Sequence, residues 1–174
     1  MPTIADVRAL ADPARSFQFQ VLIAPLIGTG SDTGTMSLRC QSTQVPGVQN
    51  EATMVRLAGF RLPYPGLQRF SHVWPTRFVE GNDMGVFQQI QSWATTATDP
   101  TTQLSGTKLS ITANATVQQL DNGGNAIQSW LIVGVWPSIV PGYAMDVDSS
   151  NPVEFSVDWY FDYWQPGTQL GTLT

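Results

Sequence analysis

The strongest constraint on the fold is an alternation of apolar and polar side chains at every second residue, sustained through the last third of the chain. In 153–163, Val153, Phe155, Val157, Trp159, Phe161 and Tyr163 fall on one side. Glu154, Ser156, Asp158 and Asp162 fall on the other, with Tyr160 among them. An extended strand brings residues i and i+2 to one face, so this segment reads as a strand with a single apolar face. Residues 109–120 repeat the pattern: Leu109, Ile111, Ala113, Ala115 and Val117 oppose Ser110, Thr112, Asn114, Thr116 and Gln118. One strand over that range would run roughly 35–40 Å, longer than globular domains usually need. Asn122, Gly123, Gly124 and Asn125 then supply a tight turn. The return strand 126–136 is apolar on both faces, with Ile127, Leu131, Val133 and Val135 against Trp130, Ile132 and Trp136. Such a strand is expected between two layers or inside an interface.

The first half is organised in the same way. Residues 15–23 alternate, with Phe17, Phe19, Val21 and Ile23 on one side. The polar stretch 28–35 reads as a loop. In 36–44, Met36, Leu38 and Cys40 oppose Ser37, Arg39, Gln41 and Thr43, and 53–62 is the expected partner strand across a turn at 45–51. Pro63, Tyr64, Pro65 and Gly66 are expected to interrupt pairing, and 69–80 reads as a strand kinked at Pro75. One helix is predicted, capped by Asn82 or Asp83, with Val86, Ile90, Trp93, Ala94 and Ala97 on one face. About seven strands, one helix and no βαβ alternation predict a mainly antiparallel β-sandwich or barrel with one packed α-helix. A single domain over 1–174 is expected, with an N-terminal arm at 1–14 and a C-terminal tail at 165–174. The expected core includes Phe17, Phe19, Ile90, Trp93, Leu131, Val133, Phe155, Val157, Trp159 and Phe161.

Composition narrows the function. Only 12 % of residues are charged, against about 25 % in ordinary domains. Either much of the surface meets other subunits, or neutral Thr, Ser, Gln and Asn solvate it; both readings stand at this point. Net charge is -5, and Lys108 is the single lysine. The arginines are scattered, so no basic cluster exists to neutralise phosphates or to anchor to a membrane. Cys40 is alone and forms no internal disulfide, which suits a reducing compartment or a disulfide-independent fold. Residues 1–12 contain acids and no apolar stretch, so no signal peptide is expected there. The longest apolar run, 131–136, is far short of a membrane span.

No catalytic or metal constellation emerges, so neither enzyme activity nor a cofactor is expected. His72 is the only histidine, set among aromatics, where a structural role is the simpler reading. One His and one Cys cannot complete a four-ligand zinc site. Asp146, Asp148 and Asn151 lack the glycine and terminal glutamate of a calcium loop and read as a solvated loop. Asp158 and Asp162 would lie about 13 Å apart along a strand, too far to act as a pair. Gly28 and Gly30 precede no helix, so no phosphate cradle is argued. Trp93, Trp130 and Trp159 fall on apolar faces; Trp74, Trp136 and Trp164 are the tryptophans that could lie at edges. Those three keep open a carbohydrate-binding β-sandwich, which would be monomeric and glycan-responsive.

Three pieces in a fixed order carry a family resemblance. Phe78 and Asp83 precede a helix bearing Trp93; Gln119, Leu120, Asp121 and Gly124 form a turn; Gly134, Trp136 and Pro137 follow in the return strand. With the strand at 15–23, the hairpin at 36–62 and the closing strand at 153–163, this order resembles the tail tube proteins of contractile-tailed bacteriophages along nearly the whole chain. The Tyr-Pro-rich stretch 62–66 departs from the pattern.

The resemblance implies a structural virion protein that does no chemistry. Hexameric rings would stack into the inner tail tube inside a contractile sheath, each subunit giving strands to a ring-wide inner β-barrel. Implied partners are further copies of the chain, the sheath protein, a baseplate or tube initiator, the tape measure protein and a tail terminator. DNA would pass through the lumen without specific binding and without any membrane contact. Assembly would occur in the host cytoplasm and the product would be part of the virion. The same tube in a headless contractile injection or secretion particle is the alternative within the family. On this reading Ser110, Thr112, Asn114, Thr116 and Gln118 face the lumen, with Arg39, Gln41 and Thr43 beside them. The loop of Val45, Pro46, Gly47, Val48, Gln49, Asn50 and Glu51, with the arm and the tail, would make contacts between rings or subunits.

Overall fold

The computed structural model describes Ile4 and residues 13–24 and 33–167. Most of the expected arm 1–14, loop 28–35 and tail 165–174 lies outside the described residues. In chain order the elements are β1 (Phe19–Ile23), α1 (Thr33–Arg39), β2 (Cys40–Thr43), β3 (Gln49–Leu57), β4 (Phe60–Arg69), β5 (Val73–Val79), α2 (Gly85–Ala97), α3 (Lys108–Ile111), β6 (Ala113–Leu120), β7 (Ala126–Ile139), β8 (Glu154–Tyr160) and β9 (Tyr163–Pro166).

The architecture is mainly antiparallel β, as the alternation predicts. The main sheet runs β1-β6-β7-β8-β5-β2, with β9 also on β7, and β3-β4 form a separate hairpin. Strand β7 is the corner of the main sheet. Its first part lies between β6 (Val117↔Trp130) and β9 (Ile132↔Trp164), and its last residues pair with β8 (Trp136↔Tyr160). Two layers result, β1-β6-β7-β9 and β7-β8-β5-β2, with one core between them. Val21 and Ile23 of β1, Trp74 and Phe78 of β5, and Val157 and Trp159 of β8 all join that core. Helix α2 closes it with Val86, Ile90, Trp93 and Ala97. The Trp93 ring sits 5.4 Å from Trp159, and Phe87 meets Phe155 edge-on at 5.2 Å.

A bulge makes the corner. Gly134 has φ +73°, the left-handed region that a side chain makes costly. The extra residue lets Ile132 and Val135, three apart, both face the core fully buried. Opposite it the chain breaks between β8 and β9. The Asp162 amide donates to the Val133 carbonyl at 2.9 Å, and the Asp162 carboxylate takes Lys108 Nζ at 2.6 Å.

Several expectations are corrected. The alternating segment 109–120 is not one strand. Ser110 Oγ donates to the Thr107 carbonyl and Thr112 Oγ1 to that of Lys108, both at 2.8 Å, and these local bonds close the short helix α3. There the Ile111 carbonyl accepts from Trp93 Nε1 at 2.6 Å. Likewise Met36 and Arg39 are helical, and β2 pairs with β5 instead of with 53–62. The hairpin is shifted along the chain: Ala58 and Gly59, both at positive φ, form a two-residue turn joining Leu57 to Phe60. Pro63 and Pro65 stay inside β4, opposite Met54 and Ala52. Two residues apart, they turn their missing N–H groups to the same edge, and a two-stranded ribbon has an outer edge to spare. The segment 69–80 divides between β4 and β5 around His72, at φ 56°.

Burial corrects others. Phe17 is exposed, and Leu131 and Val133 are half-buried on the outer side of β7. Trp74, expected near an edge, is fully buried. The segment 153–163 is interrupted at Phe161 and Asp162, which turns Tyr163 outward. Neither Asn82 nor Asp83 caps α2. Asp83 is engaged by Arg39 Nη2 at 2.9 Å, and the Phe87 amide donates instead to Glu80 Oε1.

Candidate assembly surfaces

Three features leave structure unfinished among the described residues. The first is the layer β1-β6-β7-β9. Among the described residues, β1 pairs only with β6 and β9 only with β7, which leaves the outer edge of each without a described strand partner. The outward face of this layer is ordered in rows. Leu22 lies beside Thr116, Thr116 beside Leu131, and Leu131 beside Gln165. In the next row Gln20 lies beside Gln118 and Gln118 beside Ser129. Asn114 accepts at Oδ1 from the Gly134 amide at 3.4 Å. None of these side chains carries a charge. Their partners in alternation, Val21, Ala115, Val117 and Ile132, are buried. Asn114, Thr116 and Gln118, which the alternation put on one polar side, lie on this outward face of β6. Ser110 leaves it for α3 and Thr112 ends that helix, while Arg39 belongs to α1, and Gln41 and Thr43 to β2 in the other layer. Thr43 is engaged as the acceptor for Trp74 Nε1 at 2.9 Å.

The second feature is the β3-β4 hairpin. Every residue in it is exposed except Glu51, which is half-buried against Arg69. Register places Thr53 and Tyr64, Val55 and Leu62, and Leu57 and Phe60 on one apolar face. Phe60 is 72 % exposed, so this face lacks a cover within the described chain. A two-stranded ribbon without a packed face is marginal in water. The hairpin root is anchored at Gly47, whose carbonyl accepts from Trp164 Nε1 at 3.2 Å. Of the expected contact loop, Pro46 is buried, Val45, Gly47 and Val48 are exposed, and Gln49, Asn50 and Glu51 already belong to β3.

The third feature is electrostatic. Arg39 bridges Glu80 and Asp83, each at 2.9 Å, and the Glu80 side chain is fully buried. This cluster ties α1 to the start of α2. The Arg39 hydrogen bond holds the Asp83 carboxyl below the usual aspartate range. The Asn125 amide, with other donors of the β6-β7 turn, does the same for Asp121. Arg77 pairs with Glu154 and Lys108 with Asp162. Among the described residues, no carboxylate pairs with Arg56 or Arg61, which face each other across the hairpin tip. The missing sequence signal was register: only after Leu57 and Phe60 are paired do Arg56 and Arg61 meet.

The groups that could carry chemistry are committed elsewhere. His72 Nδ1 lies 3.0 Å from the Phe161 carbonyl, with its ring near Phe70 and Phe161. Burial pushes the Cys40 thiol up to about 12, which removes its nucleophilic form at neutral pH. No group of three metal-ligating side chains occurs among the described residues. Of the six tryptophans, Trp74, Trp93 and Trp159 are buried and Trp130, Trp136 and Trp164 half-buried. No described helix is long and apolar enough to cross a membrane.

Neither a protein-family model nor a curated protein matches the sequence. Solved structures do match in fold. A chain in the tube-terminating cap of the anti-feeding prophage aligns at TM-score 0.67 and 15 % identity, covering 97 % of this chain and 99 % of that one. A chain in the six-fold symmetrised baseplate of the same particle aligns at TM-score 0.67 and 13 % identity, covering 92 % and 99 %. A chain in the extended sheath–tube complex of the extracellular contractile injection system PVC aligns at 0.62 and 11 %, covering 96 % and 99 %. The protein therefore has a fold found in chains of the cap and baseplate of the anti-feeding prophage and of the sheath–tube complex of a contractile injection system.

Proposed function

We propose that this chain is a structural tube subunit of a contractile injection machine, closing into rings that stack inside a sheath. The observation that carries this is the four-stranded layer β1-β6-β7-β9, which among the described residues has an open edge on each side and an uncharged outer face. Its strands alternate in direction, so β9 of one copy can continue antiparallel onto β1 of the next. Such pairing is heterologous, and a closed ring removes every open edge of the layer. The fold likeness to chains of a sheath–tube complex and a six-fold symmetrised baseplate supports six copies per ring.

The outer face would then line the lumen. Asn114, Thr116 and Gln118, with Gln20 and Leu22 beside them, are the lumen candidates. Short neutral groups give a passing polymer few tight contacts, and the net charge of -5 disfavours phosphate adsorption. In a tailed bacteriophage the cargo would be DNA and the tube part of the virion, assembled in the host cytoplasm. The solved structures compared above come from the anti-feeding prophage and an extracellular contractile injection system, which favours the same tube with another cargo as the second reading. The sheath protein, a baseplate initiator, a tape measure protein and a tail terminator are the partners of either.

Negative-stain electron microscopy of the purified protein across a concentration series tests the proposal. Six-fold rings and hollow tubes are the expected result. Monomers that fail to elongate even on added baseplates would refute it. A Thr116→Lys/Gln118→Lys pair then tests the lumen: tubes should still form and cargo passage should slow. Loss of tubes with the fold intact would place those residues at a contact.

A further inference from the structure

The tip of the hairpin poses an electrostatic problem that the described residues do not solve. Arg56 and Arg61 are directly opposite across β3 and β4, next to the Ala58-Gly59 turn. Like charges in a cross-strand pair are destabilising. Among the described residues, the other arginines of the strands and of α1 have a carboxylate partner, and these two have none. The pair lies on the face of the ribbon opposite Val55, Leu57, Phe60 and Leu62, so burial of the apolar face leaves both guanidinium groups free to meet an acid.

A matching acidic surface is attached to the opposite end of the same strand. The hairpin leads into the start of β5 at Val73. At the far end of β5 the Glu80 amide donates to the Val153 carbonyl at 2.9 Å, holding the β7-β8 loop there. Seven residues of β5 separate the two attachment points, about 20 Å. That loop presents Asp146 and Asp148, and no described cation pairs with either. Between and beside them, Val147 is 103 % exposed and Met145 81 % exposed. The Asp148 amide donates to Asp146 Oδ1 at 3.0 Å, which shapes the turn and leaves both carboxylates outward. The hairpin, with exposed apolar and cationic side chains, and the C-terminal anchor of the loop, with exposed apolar and anionic ones, are thus attached at opposite ends of β5.

We infer that the Arg56–Arg61 tip of one copy docks on the Asp146–Asp148 loop of another, as the polar head-to-tail contact that sets the stacking direction. The inference rests on the tube reading above. A heterologous contact of this kind does not close on itself and propagates as a filament. Its charges also exclude tip-to-tip and loop-to-loop arrangements, since each would appose like charges. Asp158, the other uncompensated carboxylate on the strands, lies in a hollow with Pro46, Gly47 and Ser71, beside the root of its own hairpin, and does not present itself at the far end.

The test is a charge swap read by electron microscopy and sedimentation. Arg56→Glu/Arg61→Glu and Asp146→Lys/Asp148→Lys should each raise the critical concentration for elongation by roughly tenfold or more, with single rings still forming. Combining the two sets in one chain should restore tubes. Raised salt should weaken wild-type elongation and have less effect on ring closure. Tubes from either half-swap at the wild-type concentration would overturn the inference and leave the tube reading standing. Rings that the combined swap fails to stack would overturn it too, as would restoration by Asp158→Lys in place of the loop substitutions. A wild-type protein that forms neither rings nor tubes overturns the tube reading, and this inference with it.

Discussion

Replacing Gly134 by alanine measures how much the corner of the sheet depends on one missing side chain. Two costs combine there. The backbone sits at φ +73°, where a Cβ costs about 1–2 kcal/mol. A Cβ would also collide with the Asp162 carboxylate, which is hydrogen-bonded to Lys108. Overlap in a fixed corner adds about 1–3 kcal/mol. The ion pair is mostly exposed, with Lys108 at 68 % and Asp162 at 41 %, so its loss adds at most about 1 kcal/mol. Gly134→Ala should therefore destabilise by about 2–6 kcal/mol, equivalent to a fall in Tm of roughly 4–24 °C for a chain of this size. Urea denaturation followed by tryptophan fluorescence, at concentrations below ring formation, reads the loss. Adding Asp162→Ala to the variant should recover the overlap and leave the backbone cost and the loss of the Lys108 ion pair. A loss under about 0.5 kcal/mol for Gly134→Ala would refute the bulge argument. Equal losses with and without Asp162 would refute the steric part alone.

The buried Glu80 carboxylate serves Arg39, the Gly81 amide and the Phe87 amide together. Glu80→Ala should cost about 3–5 kcal/mol in the same assay, and Glu80→Gln less. Trp93→Phe strips the Ile111 carbonyl of its donor and should cost about 1–3 kcal/mol; an unchanged midpoint would mean that water replaces the bond. Asp83, Asp99 and Asp121 all have lowered folded-state pKa values, each set first by a hydrogen bond. Their contribution is full above the ordinary aspartate pKa of about 4 and is lost as pH falls through the lowered values. Unfolding monitored from pH 5 downward should show that decline, shallower in Asp121→Asn. Replacing 50–68 with a short turn should leave the stability of the two layers unchanged within about 1 kcal/mol while abolishing stacking, because the hairpin packs on neither layer.

Periodicity by itself determined the fold class. Alternation in 19–23, 113–120 and 154–160 and the 3.6-residue spacing from Val86 to Ala97 are local properties that hold in any surrounding structure, and those strands and that helix formed. Phe155, Val157, Trp159, Ile90 and Trp93 were legible as core for the same reason. Where alternation met Ser and Thr, as at 107–112, local side-chain bonds to the backbone competed with the strand, and pattern alone could not rank them. Asn114, Thr116 and Gln118 were legible as one polar side, whereas Ser110 and Thr112 were not separable from it in sequence. Partnership was decided only in three dimensions. Nothing in the residues of β2 states that it joins β5, and nothing in Arg56 or Arg61 states that they oppose each other. Register depends on which edges are free once the core has closed, and that is a property of the whole chain. The bulge at Gly134 belongs to both levels: the glycine is written in the sequence, and the reason for it exists only where Asp162 closes against it.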